Sequence, residues 1–126
     1  MSSIMGAQHV LAVNNLKQSV DFYVNKLGFE VLNEFLGWSF LGRESFKIML
    51  GECIDTMPAE QTGDHSYFAY VYVSNASALN KEFKNSNIEF VKNISDEPWG
   101  MREFGVKTID GHRIMFGEEI VDQSHT

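Results

Sequence analysis

The chain contains short segments in which every second residue is apolar and two segments with helical periodicity. Alternation indicates β-strands, whereas apolar residues three or four positions apart indicate amphipathic helices. In the first half, the strand-like segment "QHVLAVN" precedes a helical segment with apolar positions at Leu16, Val20, Tyr23, Val24 and Leu27. Asn14 and Asn15 are suitable N-cap residues, and Gly28 is a suitable C-terminal stop.

The order of elements then repeats. Three strand-like segments follow the first helix: "FEVLNEF", "WSFLGR" and "FKIML". Beyond the acidic segment "GECIDTMPAEQTGD", a strand "SYFAYVYV" is followed by a capped helix with Ala76, Leu79 and Phe83 facing inward. Three further strands are predicted in "IEFVKNI", "MREFGVKTI" and "HRIMFGEE". The halves match in element order rather than in residue identity, and each predicts a β-α-β-β-β module.

The pattern predicts an α+β fold in which two paired βαβββ modules form a cupped mixed sheet within a single domain, residues 1–126. The predicted segments are a first module at 8–51, a linker at 52–65, a second module at 66–119 and a polar tail at 120–126. One helix covers only one face of a four-stranded sheet. We therefore expect the opposite, concave face to bind a ligand.

Composition fits one soluble globular domain, with 126 residues, 44% apolar and 21% charged. No apolar segment approaches the roughly 18 residues of a membrane span, and the N-terminus does not resemble a secretory signal, so we expect a cytoplasmic protein. The single cysteine, Cys53, fits a reducing compartment, and we expect a buried thiol there.

The net charge of −7 argues against a nucleic-acid partner, because phosphates require basic patches. Acidic residues exceed basic ones in both halves, by seven to four in residues 1–60 and by ten to six in residues 61–126. Such a surface mainly promotes solubility. It would also attract a cationic ligand.

Two segments carry a family resemblance: "LAVNNLKQSVDFYVNKLGFEVL" and "EPWGMREFGVKTIDGHRIMFGEE". They resemble the glyoxalase/bleomycin-resistance/dioxygenase superfamily, with its vicinal oxygen chelate fold, over about residues 8 to 119. The resemblance implies paired βαβββ modules in a homodimer. Enzymes of this superfamily chelate one divalent metal with four side chains, whereas its drug-binding members have no metal.

The resemblance places the metal-ligand positions at residues that suit no such metal: Gln8, Met49, Phe68 and Met115. We therefore expect no metal and no cofactor. Alternation supports this expectation, because Ile114 and Phe116 should face the helix, with His112 and Glu118 at the edges of the same side. By the same alternation, His9 should point toward the core side of its strand.

The concave face is predicted to present mainly aromatic side chains, and the ligand-binding candidates are Trp38, Phe40, Phe68, Tyr70, Tyr72, Trp99, Glu103 and Met115. The turn "EPWG" should place Trp99 at the mouth of the last hairpin, and Glu103 should lie on a strand beside Met115. Arg102 could pair with Glu103 or Asp96, or meet a ligand carboxylate. Metal-free drug-binding members of the superfamily carry bulky aromatics at positions resembling Trp38, Tyr70 and Trp99.

The pattern is closest to the metal-free bleomycin-resistance proteins, so we interpret the chain as a small-molecule binding protein that sequesters a planar or cationic ligand. Asn33 stands where drug binders of that type tend to carry phenylalanine. The alternative is a metal-dependent lyase, isomerase or dioxygenase that uses Gln8, Glu103 or a shifted set such as His65 and Glu118. A regulatory or partner-binding module is a third hypothesis without a sequence motif of its own.

Overall fold

The computed structural model describes residues 2–3, 5–55, 57, 59, 61 and 66–121. The chain divides into two compact units, residues 1–57 and residues 58–126. Each unit contains one βαβββ module, which confirms the predicted order of elements. Parts of the predicted linker and of the predicted polar tail lie outside the described residues. His65 also lies outside them.

The first module forms a four-stranded sheet with one helix. Its elements are β1 (His9–Val13), α1 (Leu16–Asn25), β2 (Glu30–Phe35), β3 (Trp38–Arg43) and β4 (Phe46–Glu52). The strand order is β1-β4-β3-β2, with β1 parallel to β4 and the other pairs antiparallel. The parallel pair is possible because a long connection containing α1 returns the chain to the same end of the sheet.

The second module repeats this topology. Its elements are β5 (Tyr67–Tyr72), α2 (Ala76–Asn85), β6 (Glu89–Asp96), β7 (Met101–Lys107) and β8 (Arg113–Glu119). The strand order is β5-β8-β7-β6, with β5 parallel to β8. Both helices have ten residues, and no helix in the described part of the chain is long and apolar enough to cross a membrane.

The two helices begin with the same pair of interactions. The side chains of Asn15 and Asn75 each accept a hydrogen bond of 3.0 Å from the third backbone N–H of the helix, so Asn15 acts as the predicted cap. Glu52 and Glu118 accept a hydrogen bond from the first helical N–H, at 3.0 and 2.9 Å respectively. Both carboxylates thus lie where the positive end of the helix dipole favours them.

The core of each module lies between the helix and the sheet. Ile114 and Phe116 are buried on the helix side, as alternation predicted, and the Phe116 ring lies 5.3 Å from that of Phe83 on α2. The first module buries equivalent positions: Tyr23, Leu41, Ile48 and Leu50. Aromatic rings at these separations stabilise the core beyond the apolar area they remove from water.

The last strands of the two modules also have similar sequences. This similarity is missed when the modules are compared by element order. Residues 48–52 read "IMLGE" and residues 114–118 read "IMFGE". In both strands the first and third residues are buried in the core, the glutamate caps the helix and the methionine is half-buried. The glycine therefore lies on the sheet face opposite the helix.

The expectation of a buried Cys53 is wrong, because its side chain is exposed. Cys53 follows the last residue of β4, where its backbone N–H donates to the Val13 carbonyl at 2.7 Å. Its backbone thus adds one hydrogen bond between the ends of β1 and β4.

Candidate ligand-binding site

The second sheet has an open face, defined as the side that α2 does not cover. Strand pairing places Tyr70 on β5 opposite Met115 on β8, and Glu103 on β7 opposite Gly117 on β8. Cross-strand partners project to the same side of a sheet, and residues two apart on one strand share a face. These four residues therefore lie together on the open face, which includes the predicted site residues Tyr70, Glu103 and Met115.

Tyr70 reaches Glu103 across the intervening strand because position 117 has no side chain. The Tyr70 hydroxyl donates a hydrogen bond of 3.0 Å to Glu103 Oε1. A β-carbon at Gly117 would lie 2.7 Å from Tyr70 Cζ and closer still to the hydroxyl oxygen. Gly117 thus makes the contact between β5 and β7 possible.

Glu103 is the centre of this arrangement. It is only 3% exposed, and its Oε1 accepts hydrogen bonds from the Tyr70 hydroxyl at 3.0 Å and from Trp99 Nε1 at 2.9 Å. Its Oε2 accepts one from Lys92 Nζ at 3.0 Å. A buried carboxylate is costly without such partners, so three donors explain how Glu103 is retained in the fold.

Lys92 joins Glu103 to a second carboxylate. Its Nζ lies 2.9 Å from Glu97 Oε1 as well as 3.0 Å from Glu103 Oε2, and 5.5 Å from the centre of the Trp99 ring. We call Tyr70, Lys92, Glu97, Trp99 and Glu103 the Glu103 cluster. The cluster contains two carboxylates and one ammonium group, so it carries one uncompensated negative charge.

The contacts fix the protonation states of the two central groups. Burial opposes ionisation of Glu103, but the hydrogen bonds from Trp99, Lys92 and Tyr70 outweigh it and lower the pKa of its carboxyl below the ordinary value. Burial, together with the hydrogen bond to Glu103 and its charge, raises the pKa of Tyr70 from 10.0 to about 12. At neutral pH Glu103 is therefore an acceptor and Tyr70 a donor.

Trp99 and Tyr72 extend the aromatic surface into solvent. Trp99 is 63% exposed, and Tyr72 is 79% exposed with its ring 5.3 Å from that of Tyr70. The turn that carries Trp99 joins β6 to β7. The Ile120 backbone N–H, just after β8, donates to the Gly100 carbonyl at 2.9 Å, so Trp99 lies at the mouth of the β7–β8 hairpin. Because the indole N–H of Trp99 donates to Glu103, the orientation of the exposed Trp99 ring is fixed.

Arg102 stabilises the hairpin that carries Trp99. Its Nε lies 2.6 Å from Asp96 Oδ1, and its guanidinium makes a second bond of 3.0 Å to Asp96 Oδ2. The Arg102 guanidinium lowers the pKa of the Asp96 carboxyl. Of the partners considered from sequence, the structure therefore selects Asp96.

Tyr67, not Phe68, continues the row formed by Tyr70 and Tyr72. Tyr67 pairs with Arg113, and the pairing register shifts immediately after it. The Tyr67 hydroxyl lies 3.0 Å from the β-carbon position of Gly105, on the open face. The Phe68 ring instead contacts the His112 ring edge-on, with 5.7 Å between centroids. The irregularity changes which side chains follow one another on a face, so simple alternation placed Phe68 wrongly.

The first module carries the two remaining aromatic candidates. Trp38 lies opposite Gly51, and a β-carbon there would be 2.8 Å from the indole ring. Phe40 lies opposite Met49. Trp38 is therefore paired with Gly51 in the first sheet as Glu103 is paired with Gly117 in the second sheet. The ligand-binding roles of Trp38 and Phe40 stay predictions.

The residues at the superfamily's metal positions do not fit a divalent metal. Gln8 is exposed before β1, and the other positions supply two thioethers and a phenyl ring. Glu118, considered for a shifted set, is hydrogen-bonded to the first N–H of α2, and His65 lies outside the described residues. Across the described residues, no three His, Cys, Asp or Glu side chains form a group that could hold a metal.

Sequence reasoning missed Lys92, Glu97 and Gly117. The repeated "IMxGE" segment could have identified Gly117 as a position where a side chain crosses the sheet. Lys92 was hidden because the β6–β7 pairing contains two register shifts. Counting back from the turn therefore does not place Lys92 beside Glu103.

Solved structures share the fold at low sequence identity. The bleomycin-binding protein of bleomycin-producing Streptomyces verticillus, complexed with copper(II)-bleomycin, is 21% identical over 97% of this chain and 100% of that chain, with a TM-score of 0.73. A bleomycin resistance determinant encoded on transposon Tn5 is 14% identical over 94% and 100%, with a TM-score of 0.78. TioX from Micromonospora sp. ML1 is 21% identical over 93% and 98%, with a TM-score of 0.71.

At these identities the structural likeness establishes the fold alone. No curated protein sequence matches the chain. Residues 6–116, which comprise both modules almost completely, match the family profile described as Glyoxalase/Bleomycin resistance protein/Dioxygenase superfamily. This match agrees with the βαβββ topology and with the motifs at both ends of the chain. The chain therefore belongs to the glyoxalase/bleomycin resistance protein/dioxygenase superfamily.

Proposed function

We propose that the protein binds a planar, cationic small molecule on the open face of the second module, without a metal ion. The observation that carries the proposal is the Glu103 carboxylate. It is buried and ionised, and the polar ends of Tyr70 and Trp99 converge on one of its oxygens. A negative charge held between aromatic side chains is suited to a ligand that is both flat and positive.

The charge of the site favours a cation. The Glu103 cluster has one more carboxylate than ammonium groups, and its low exposure weakens the screening of Glu103 by water. The chain as a whole carries a net charge of −7, which would attract a cation toward the protein before it binds.

The exposed rings favour a planar group. Trp99 and Tyr72 are well exposed, and the indole of Trp99 is oriented by its bond to Glu103. Aromatic stacking contributes about 0.5–1.5 kcal/mol per ring pair beyond area burial, and a cation over an aromatic face adds about 0.5–1 kcal/mol at exposed sites. Several such contacts support measurable affinity without any catalytic residue.

The structural neighbours are compatible with this function. One was solved with copper(II)-bleomycin bound, so drug binding by this fold has a precedent, and another is a bleomycin resistance determinant. We extend to this chain only the general property of binding an organic molecule.

We also propose that the protein acts in the cytoplasm as a homodimer. Sedimentation at several protein concentrations would test the oligomeric state.

Fluorescence titration with two matched probes tests the proposal. N-methylacridinium is a planar cation, and acridine is its uncharged counterpart in mildly alkaline buffer. We expect the wild type to bind the cation more tightly, and Glu103→Gln to weaken cation binding about tenfold or more, since a charge-assisted contact is lost. Glu119→Gln is the matched control, because it removes the same charge from an exposed residue of the same module.

Two results would contradict the proposal. One is the absence of saturable binding of either probe. The other is equal cation affinity in the wild type, Glu103→Gln and Glu119→Gln, which would place any binding away from the Glu103 cluster. Thermal unfolding of each variant would show whether an altered affinity reflects an altered fold.

A further inference from the structure

We propose that Lys92 is a built-in counter-ion, which the cationic group of a ligand displaces from Glu103 when it binds. The inference rests on the proposed function, and it assigns Lys92 a role as the residue that sets selectivity among cations. In the free protein the site would be occupied by a group of the chain itself. A ligand then has to compete with that group.

Lys92 makes the contacts that a ligand ammonium would make. Its Nζ lies 3.0 Å from Glu103 Oε2 and 5.5 Å from the centre of the Trp99 ring. It thus occupies both the carboxylate and the aromatic face that the proposed ligand requires. A cation and Lys92 cannot hold these positions together, because like charges at such distances repel strongly.

The remaining contacts allow the exchange at little structural cost. Tyr70 and Trp99 both donate to Glu103 Oε1, whereas Lys92 alone among the three donors holds Oε2. Departure of Lys92 therefore frees one oxygen and leaves the carboxylate anchored by the other. A cationic ligand group beside Oε2 would replace the positive charge of the lysine.

Glu97 gives the displaced ammonium a second partner. Lys92 Nζ is already 2.9 Å from Glu97 Oε1, and the Lys92 side chain is 27% exposed, so its end borders solvent. The lysine stem is long and flexible, which allows a small rotation away from Glu103 while the bond to Glu97 persists. Ser95 Oγ lies 2.5 Å from the same Glu97 oxygen and holds that carboxylate in place.

The exchange predicts that removing Lys92 strengthens cation binding more than removing a basic residue outside the Glu103 cluster. Lys92→Met should increase the affinity for N-methylacridinium about tenfold or more, since a charge-assisted hydrogen bond no longer has to be broken. The affinity for uncharged acridine should change less than about threefold, because that probe does not compete for Glu103.

Lys107→Met is the matched control. Lys107 has a side-chain exposure of 22% and pairs with Glu89 at 3.2 Å, on β7 of the same sheet. Its replacement changes the net charge of the protein by the same amount without touching the Glu103 cluster. A general electrostatic effect would therefore appear equally in Lys92→Met and Lys107→Met.

Glu97→Gln keeps the test decisive if Lys92→Met folds poorly. The displaced lysine would then lack its second carboxylate, so cation affinity should fall several-fold in the wild-type background. A general charge effect would lower the affinity equally in Glu119→Gln, which removes the same charge from an exposed residue. Thermal unfolding identifies which variants are folded at the temperature of titration.

The expected result is tighter cation binding in Lys92→Met alone, with Lys107→Met close to wild type. Equal or weaker cation binding in folded Lys92→Met would overturn the inference while leaving the proposed function intact. Loss of binding of an anionic planar probe, 9-anthracenecarboxylate, in Lys92→Met would also overturn it, because Lys92 would then contact the ligand directly. If no variant binds any probe, the proposed function fails, and the inference fails with it.

Discussion

Gly117→Ala probes the contact on which the shape of the site depends. The added methyl would lie 2.7 Å from Tyr70 Cζ, so the tyrosine ring must move off β8 and its hydroxyl must leave Glu103. Gly117 is not among the glycines with positive φ, so alanine suits its backbone and the effect comes from space alone. The substitution therefore tests a side-chain contact and not a strained turn.

The expected magnitude follows from two opposing terms. Losing a hydrogen bond to a charged acceptor costs about 1.5–3 kcal/mol, and replacing glycine by alanine inside a strand gains about 0.5–1 kcal/mol. We expect Gly117→Ala to lower the free energy of unfolding by about 0.5–2.5 kcal/mol. The pKa of Tyr70 should fall from about 12 toward 10.0 as the hydroxyl leaves Glu103.

Urea denaturation and ultraviolet titration of tyrosine measure these two effects independently. The control is the same substitution in a Tyr70→Ala background, where no ring obstructs the new methyl and Gly117→Ala should be neutral or slightly stabilising. The reasoning is refuted if Gly117→Ala has the same effect on stability in both backgrounds, or if Tyr70 keeps its raised pKa in Gly117→Ala.

Two further predictions concern pH and the helix caps. The stability of the wild type should fall between pH 10.0 and about pH 12, because the unfolded chain releases the Tyr70 proton while the folded chain retains it. Tyr70→Phe should show a smaller loss in pH-dependent urea denaturation, and an equal loss would contradict this assignment. Glu118→Ala should cost about 0.5–2 kcal/mol by removing the acceptor at the start of α2. Glu119→Ala, at an exposed neighbour, should cost less than about 0.5 kcal/mol, and equal losses in calorimetry would argue against the cap.

The fold could be predicted because its information is local. Alternation identified the buried side of β8, and Asn15 marked the start of α1, since both depend only on nearby residues. The alternation of side chains along a strand is interrupted where the pairing is irregular. For this reason Tyr67 occupies the position on the open face that was expected for Phe68.

The site could be predicted only in part for the same reason. Tyr70, Trp99 and Glu103 were expected to be ligand-binding residues, and the structure brings these three together. The partnership of Lys92 with Glu103 depends on two register shifts in β6 that no local pattern encodes. The contact between Lys92 and Glu103 therefore became visible only in the folded structure.

Metal-independent binding at Glu103 is tested most directly by titrating chelator-treated protein with N-methylacridinium before and after adding Zn²⁺, Ni²⁺, Mn²⁺ or Fe²⁺. Thermal unfolding is recorded on the same samples. We predict an unchanged Kd with every metal, and stabilisation by about 2.7 kcal/mol when the probe is present at about 100 times its Kd. Binding that appears only after one metal is added, or a comparable stabilisation by that metal alone, would contradict the proposal and favour a metalloenzyme.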